Sequence, residues 1–148
     1  MAVILVGLQE IQQKILDLLA GDINLKEHVK ISRYYYGPVD PDQVVYPYIS
    51  VEQIGVPVKP RDIAGGRHYF NLRYRITIVD KHASNDEAEK SVQDKTEYAI
   101  KKLAADPSLG SKVDNSFFTG EIEWESGVRR ENEFLAGARL TLEALKEA

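Results

Sequence analysis

The chain has no cysteine among its 148 residues. That removes disulfide scaffolds, thiolate zinc sites and cysteine nucleophiles together, and it leaves the redox compartment undetermined. It also lacks a long hydrophobic run. The apolar opening Met1-Ala2-Val3-Ile4-Leu5-Val6 is far shorter than a membrane span, and it has neither the basic flank nor the cleavage site of a targeting segment. It reads as a structured lead-in that packs against the first helix. Positive charge is not in excess either: 19 Lys and Arg stand against 23 Asp and Glu, a formal net charge of −4. The basic stripe of a duplex-binding domain is therefore missing, and no tight hold on nucleic acid is expected.

Catalytic signatures are equally scarce. There is no Gly-x-Ser-x-Gly elbow and no Ser-x-x-Lys pair. Gly65-Gly66, with Lys59, Arg61 and Arg67 nearby, is a phosphate-cradle candidate, but it has neither Walker nor dinucleotide spacing. His28, His68 and His82 lie in three segments at no metal-ligand spacing, so surface histidine is the default. No metal, cofactor or catalytic residue is assigned.

What the chain does have is periodicity. Phe70, Leu72, Tyr74, Ile76 and Ile78 alternate with Asn71, Arg73, Arg75 and Thr77, which predicts a long strand over 68–79 with one buried and one polar face. Leu8, Ile11, Ile15, Leu18 and Leu19 predict a one-faced helix stopped by a left-handed Gly21. An irregular segment follows to about Lys30. Strands are expected at 31–36 and 46–54, with Pro47 at a start or edge because it has no N–H to donate.

From Gly55 to Arg67 the pattern vanishes into a connection longer than an ordinary hairpin loop. Ser84 and Glu87 predict a capping box that opens a second helix, whose stripe Ala88, Val92, Thr96, Ala99, Ile100 and Leu103 ends before Asp106-Pro107. The last third reads as a hairpin, with Phe118, Gly120, Ile122 and Trp124 on one face of its first strand and Leu142 to Lys146 open between strand and helical turn. Hydrophobic residues at 43% and this length suit one globular domain, 1–148. The expected class is α+β: an antiparallel or mixed sheet of about four to five strands with two amphipathic helices packed on one face.

Two clusters remain. Glu121, Glu123 and Glu125 repeat every second residue, about 6.5–7 Å apart on a strand and within the spacing of an inverting carboxylate pair. They share the face opposite Ile122 and Trp124, however, and a hydrated carboxylate lacks the desolvation a general acid needs. A solvated or pore-facing row is the better reading. Tyr34-Tyr35-Tyr36, with Tyr46 and Tyr48, concentrates the aromatics. Stacking on bases would need a basic groove, so edge packing or a subunit interface is favoured, with Tyr34 and Tyr36 as candidates.

Tyr46-Pro-Tyr-Ile-Ser-Val51, the run His68-Tyr-Phe-Asn-Leu-Arg-Tyr-Arg-Ile-Thr-Ile-Val-Asp-Lys81, the helix opening Ser84-Asn-Asp-Glu-Ala-Glu89 and the segment Leu103-Ala-Ala-Asp-Pro-Ser-Leu109 together resemble the tail terminator, or tail completion, proteins of long-tailed bacteriophages. The resemblance implies a structural virion protein of the tail or neck, assembled in the host cytoplasm. Such a protein forms a homo-oligomeric, hexameric ring between the tail tube protein and the head-tail connector protein, and DNA passes its lumen without specific binding. It implies no membrane and no enzymatic role. On that reading residues 55–67 are an arm, with Lys59, Arg61, Ile63 and Arg67 as interface candidates, and Glu121, Glu123 and Glu125 line the lumen. Two other readings stay open: another neck or connector protein of the same particle, and a small hydrolase.

Overall fold

A computed structural model of the chain describes residues 7–30, 33–37, 39–40, 43–55, 61–63 and 67–147. The elements run α1 (Leu8–Ala20), α2 (Ile23–His28), β1 (Tyr34–Tyr36), β2 (Tyr48–Gly55), β3 (Arg61–Ile63), β4 (Arg67–His82), α3 (Asn85–Ala104), β5 (Asn115–Arg130) and β6 (Glu133–Glu147). The architecture is α+β. One sheet has the strand order β1-β2-β4-β6-β5, with β3 paired to β4 off that path. Only the β1–β2 pair is parallel, which makes the sheet mixed.

The alternation read from the sequence becomes β4, the 16-residue spine of the sheet. Phe70, Leu72, Tyr74, Ile76 and Ile78 are all buried on the helix side. Each such side chain contributes about 1.5–3 kcal/mol on leaving water. A slip of one residue would turn all five outward, and this holds the long β4–β6 ladder from Tyr69↔Glu147 to His82↔Phe134 in register. Ala136, Ala138, Leu140, Leu142 and Ala144 of β6 and Ile49 and Val51 of β2 extend the same apolar layer. Against it lie Ile11, Ile15, Leu16 and Leu19 of α1 and Ala88, Val92, Ala99 and Leu103 of α3. Gln12 fixes α1 to the sheet by donating from Nε2 to the Val51 carbonyl at 2.7 Å.

Several local expectations change. Residues 23–28 are helical, because the Asp22 carboxylate accepts from the Asn24 and Leu25 amides and caps a turn too short to show a period. Gly21 ends α1 in the right-handed region, at φ −84°. Ser84 is the N-cap of α3 as expected, but its side chain makes no cap bond, so no capping box forms.

The first strand starts at Tyr34, and Ile31 and Ser32 lie outside the described residues, as does the lead-in 1–6. Leu142 to Lys146 is strand, held by β4 on one side and β5 on the other. The connection 55–67 is not patternless: Arg61–Ile63 pairs antiparallel with Arg67–Tyr69, so its described part is a hairpin that carries the β2 side of the sheet onward.

Candidate functional site

The helices leave one sheet face open, and its rows can be followed across four strands. Ser50, Thr77, Arg139 and Glu123 form one row; Tyr48, Val79, Gly137 and Glu125 form the next. Toward the start of β4 the face is charge-paired, with Arg73 Nε 2.9 Å from Glu143 Oε1 and Arg75 3.4 Å from Glu52. These pairs are partly exposed and each contributes up to about 1 kcal/mol. Toward the other end the face is aromatic. Tyr48 packs edge-on against Tyr35 with centroids 5.9 Å apart and lies 5.5 Å from Tyr46, over whose ring Lys81 Nζ sits at 5.5 Å. A shallow concavity of about 490 Å³ runs from Tyr46 and Tyr48 over Val79 and Gly137 to Glu123 and Val128.

Each candidate residue now has a place. Glu121, Glu123 and Glu125 are exposed on β5, the edge strand. Glu123 faces Arg139 in register, Glu125 faces Gly137, and Glu121 lies in an irregularity between Thr119 and Glu123. Four residues of β5 there span two of β6, and Gly120, at φ 69°, supplies the left-handed step. A second irregularity between Glu125 and Val128, with Gly127 at φ 72°, adds a single residue and so exchanges the faces beyond it. Val128 therefore joins the open face beside Leu135. Trp124, expected to be buried, is 52% exposed. By register it points to the helix side with Ala138, but α3 covers Ala136 and Ala138 through Ala88 and Val92 and leaves the outer edge of β5 open.

Tyr34 turns into the core, half-buried, and burial pushes its phenol up to about 12. Tyr36 stays exposed. Arg61, Ile63 and Arg67 belong to the β3–β4 hairpin, and Lys59 lies outside the described residues. Sequence reasoning thus placed the arm and the acidic row in separate segments, and the structure keeps them apart: β3 lies on the β2 side of β4, whereas β5 is the opposite edge.

A polar cluster was missed. Asp80, on the helix side of β4, is buried with Lys95 of α3, whose Nζ lies 3.3 Å from Asp80 Oδ2. Ser91, one turn before Lys95, donates to the same carboxylate oxygen and accepts from the ammonium. His82 Nε2 approaches at 2.9 Å and the Lys81 amide bonds Oδ1 at 2.7 Å. Burial raises the Asp80 carboxyl, but the bonds from Ser91 and Lys81, the Lys95 charge and His82 outweigh it, so its pKa lies below the ordinary value. The signal was present in the sequence as the polar Asp80 at the end of an apolar series. The cluster bonds inward, as a structural joint does.

Among the described residues no group of His, Cys, Asp and Glu could hold a metal ion, and no helix is long and apolar enough to cross a membrane. No family model matches this chain, and no curated protein matches it. Among solved structures, a chain of the virion of a native gene transfer agent particle is similar in fold, with a TM-score of 0.50 and 14% identity over 93% of this chain and 94% of that one. At that identity the likeness establishes a shared fold.

Proposed function

We propose that the chain is a structural protein of a phage-like virion, forming a ring that caps the tail tube, ends tail polymerisation and joins the tail to the head connector. The observation that supports the virion part of this reading is the likeness of its fold, over 93% of the chain, to a gene transfer agent virion chain. The tail-terminator-like runs at 46–51, 68–81, 84–89 and 103–109 overlap β2, β4 and the two ends of α3.

The physical properties fit a ring subunit in the tail or neck. The long β4–β6–β5 ladder gives a rigid wall. A sheet edge left free in one subunit becomes a used surface when a ring closes. The open face, with its balanced ion pairs and the exposed Glu123 and Glu125, suits a lumen wall: carboxylates repel passing phosphates, so DNA slides without adhering. Tyr36 and the hairpin around Arg61, Ile63 and Arg67 are the surfaces offered to neighbours. A neck or connector protein of the same particle shares these properties and differs in its docking partners.

The test is the native mass of the purified protein with negative-stain images, together with its detection in purified particles. A symmetric annulus, six subunits on this reading, at the tail end is the expected result. A protein absent from particles that shows no rotational symmetry at any concentration overturns the proposal.

A further inference from the structure

A second concavity, of about 180 Å³, lies between the β5 edge and the first half of α3. Its apolar surface is Trp124, Val92 and Ala136, and its rim carries Glu89, Gln93 and Glu125. Pockets for whole small molecules run from about 300 to 1,000 Å³, so this one has room for a single side chain. Its walls are tied together. The Gly127 amide donates to Asn85 Oδ1 at 2.9 Å, and Asn85 Nδ2 donates to Glu89 Oε1 at 3.1 Å, which fastens the second irregularity of β5 to the start of α3. The chain's single tryptophan is thus held half-exposed on a preformed wall.

The charge around it has one sign. Residues 85–94 and 121–126 hold seven carboxylates, four and three, against one cation, Lys90. On the open face the carboxylates of Glu143, Glu52 and Glu133 are neutralised by Arg73, Arg75 and Lys81. At the cleft Glu89 bonds only the neutral Asn85 amide, and among the described residues neither Glu89 nor Glu125 makes an ion pair. The face of an indole is itself negative, so Trp124 adds to the field of the two carboxylates.

We propose that this cleft receives one arginine side chain from a basic segment of a different protein. A guanidinium is planar, so it stacks on an indole face while its fork of N–H donors bonds carboxylates. An ammonium is a compact, strongly hydrated charge and makes fewer directed bonds for the water it gives up. An apolar side chain would fill the floor but strip water from Glu89 and Glu125 without supplying a counter-charge. Tryptophan and arginine are also among the residue types that most often dominate interfaces. A second copy of the chain is a poor donor. Its formal net charge of −4 makes copies repel. Its Arg33, Arg73, Arg75 and Arg129 are bonded within their own subunit, to the Tyr46 carbonyl, Glu143, Glu52 and the Glu131 carbonyl. The site does not depend on the ring reading. Trp124 lies on the helix side of β5, whereas the proposed lumen wall is the open face.

The single tryptophan reports on its own cleft, so its emission in the full chain is followed while acetylated, amidated tetra-arginine is added. A saturable change is expected. Tetralysine, of equal charge, should bind at least about fivefold more weakly, and tetracitrulline, which keeps the planar group without the charge, should not bind. Glu89→Gln, which keeps the acceptor for Asn85, and Glu125→Gln should each weaken tetra-arginine about fivefold. Glu121→Gln, on the same strand but outside the lining of the cleft, should change it by less than about twofold. Equal binding of tetra-arginine and tetralysine, or equal weakening by Glu89→Gln and Glu121→Gln, means diffuse attraction to an acidic surface and overturns the proposal. So does a change in Trp124 emission when the protein alone is concentrated, because a second copy then closes the cleft. Rings seen by light scattering with an unresponsive cleft keep the ring and remove this site, and a responsive cleft in a protein that forms no ring does the reverse.

Discussion

Tyr34 and Asp80 show what single side chains contribute beneath the sheet pattern. The Tyr34 hydroxyl is buried with no hydrogen-bond partner among the described residues. An unmatched buried hydroxyl costs about 1–3 kcal/mol, so Tyr34→Phe is expected to raise the denaturant midpoint, by a gain of roughly 1 kcal/mol, with the m-value unchanged. Asp80 is the opposite case, a buried group with every bond made. Asp80→Asn leaves the Lys95 ammonium buried without its counter-charge, and removing one partner of such a pair costs about 3–5 kcal/mol. The pH dependence follows from the sign of the shift. The folded carboxyl lies below the ordinary 3.8, so the stabilisation is complete above that value and is lost as pH falls through the folded pKa. Melting temperatures of the two proteins should therefore differ most near neutrality and converge below about pH 3.8, the value for the unfolded carboxyl. A gap that stays constant into acid would show that the ion pair is not the source of the difference.

At the scale of elements, the sequence was legible wherever one face of an element is buried along its whole length. β4 is such a case: its alternation specified the strand, the buried face and the register, because five apolar side chains point the same way. The stripes of α1 and α3 were legible for the same reason, although Leu16 is buried in α1 outside the expected stripe. The short helix 23–28 was not, since six residues with one buried side chain, Leu25, carry no period. β5 was half legible. Its alternation holds from Asn115 to Thr119 and is then interrupted twice by left-handed glycines, which a period-two reading passes over.

The acidic row was found as a row, but the exposure of Trp124 was not foreseen, because it depends on how far α3 reaches across the sheet and not on the local pattern. The irregularities make their own prediction. A Cβ at Gly120 or Gly127 meets no neighbour within 4 Å, so the cost of alanine there is conformational alone. Gly120→Ala and Gly127→Ala should each destabilise by about 1–2 kcal/mol in denaturant titrations, while Gly55→Ala, also uncrowded but at no positive φ, should change little.

For the whole molecule, the ring reading predicts how assembly responds to salt and to deletion. Exposed opposite charges attract over about 10 Å at about 0.1 M salt and over about 3 Å at 1 M. Charged contacts between neighbouring subunits should therefore weaken as salt rises across that range, whereas apolar contact between them is not screened. Deleting residues 57–66 removes β3, so if this segment is the arm between subunits it should prevent assembly at any salt. Glu123→Gln, on the open face, should leave assembly unchanged, because its partner in register is Arg139 of the same sheet. Light scattering across a salt series on these variants reads all three effects. A mass unaltered by the deletion would mean that subunits are joined elsewhere, and Tyr36 at the β1 edge would then be the surface to alter next.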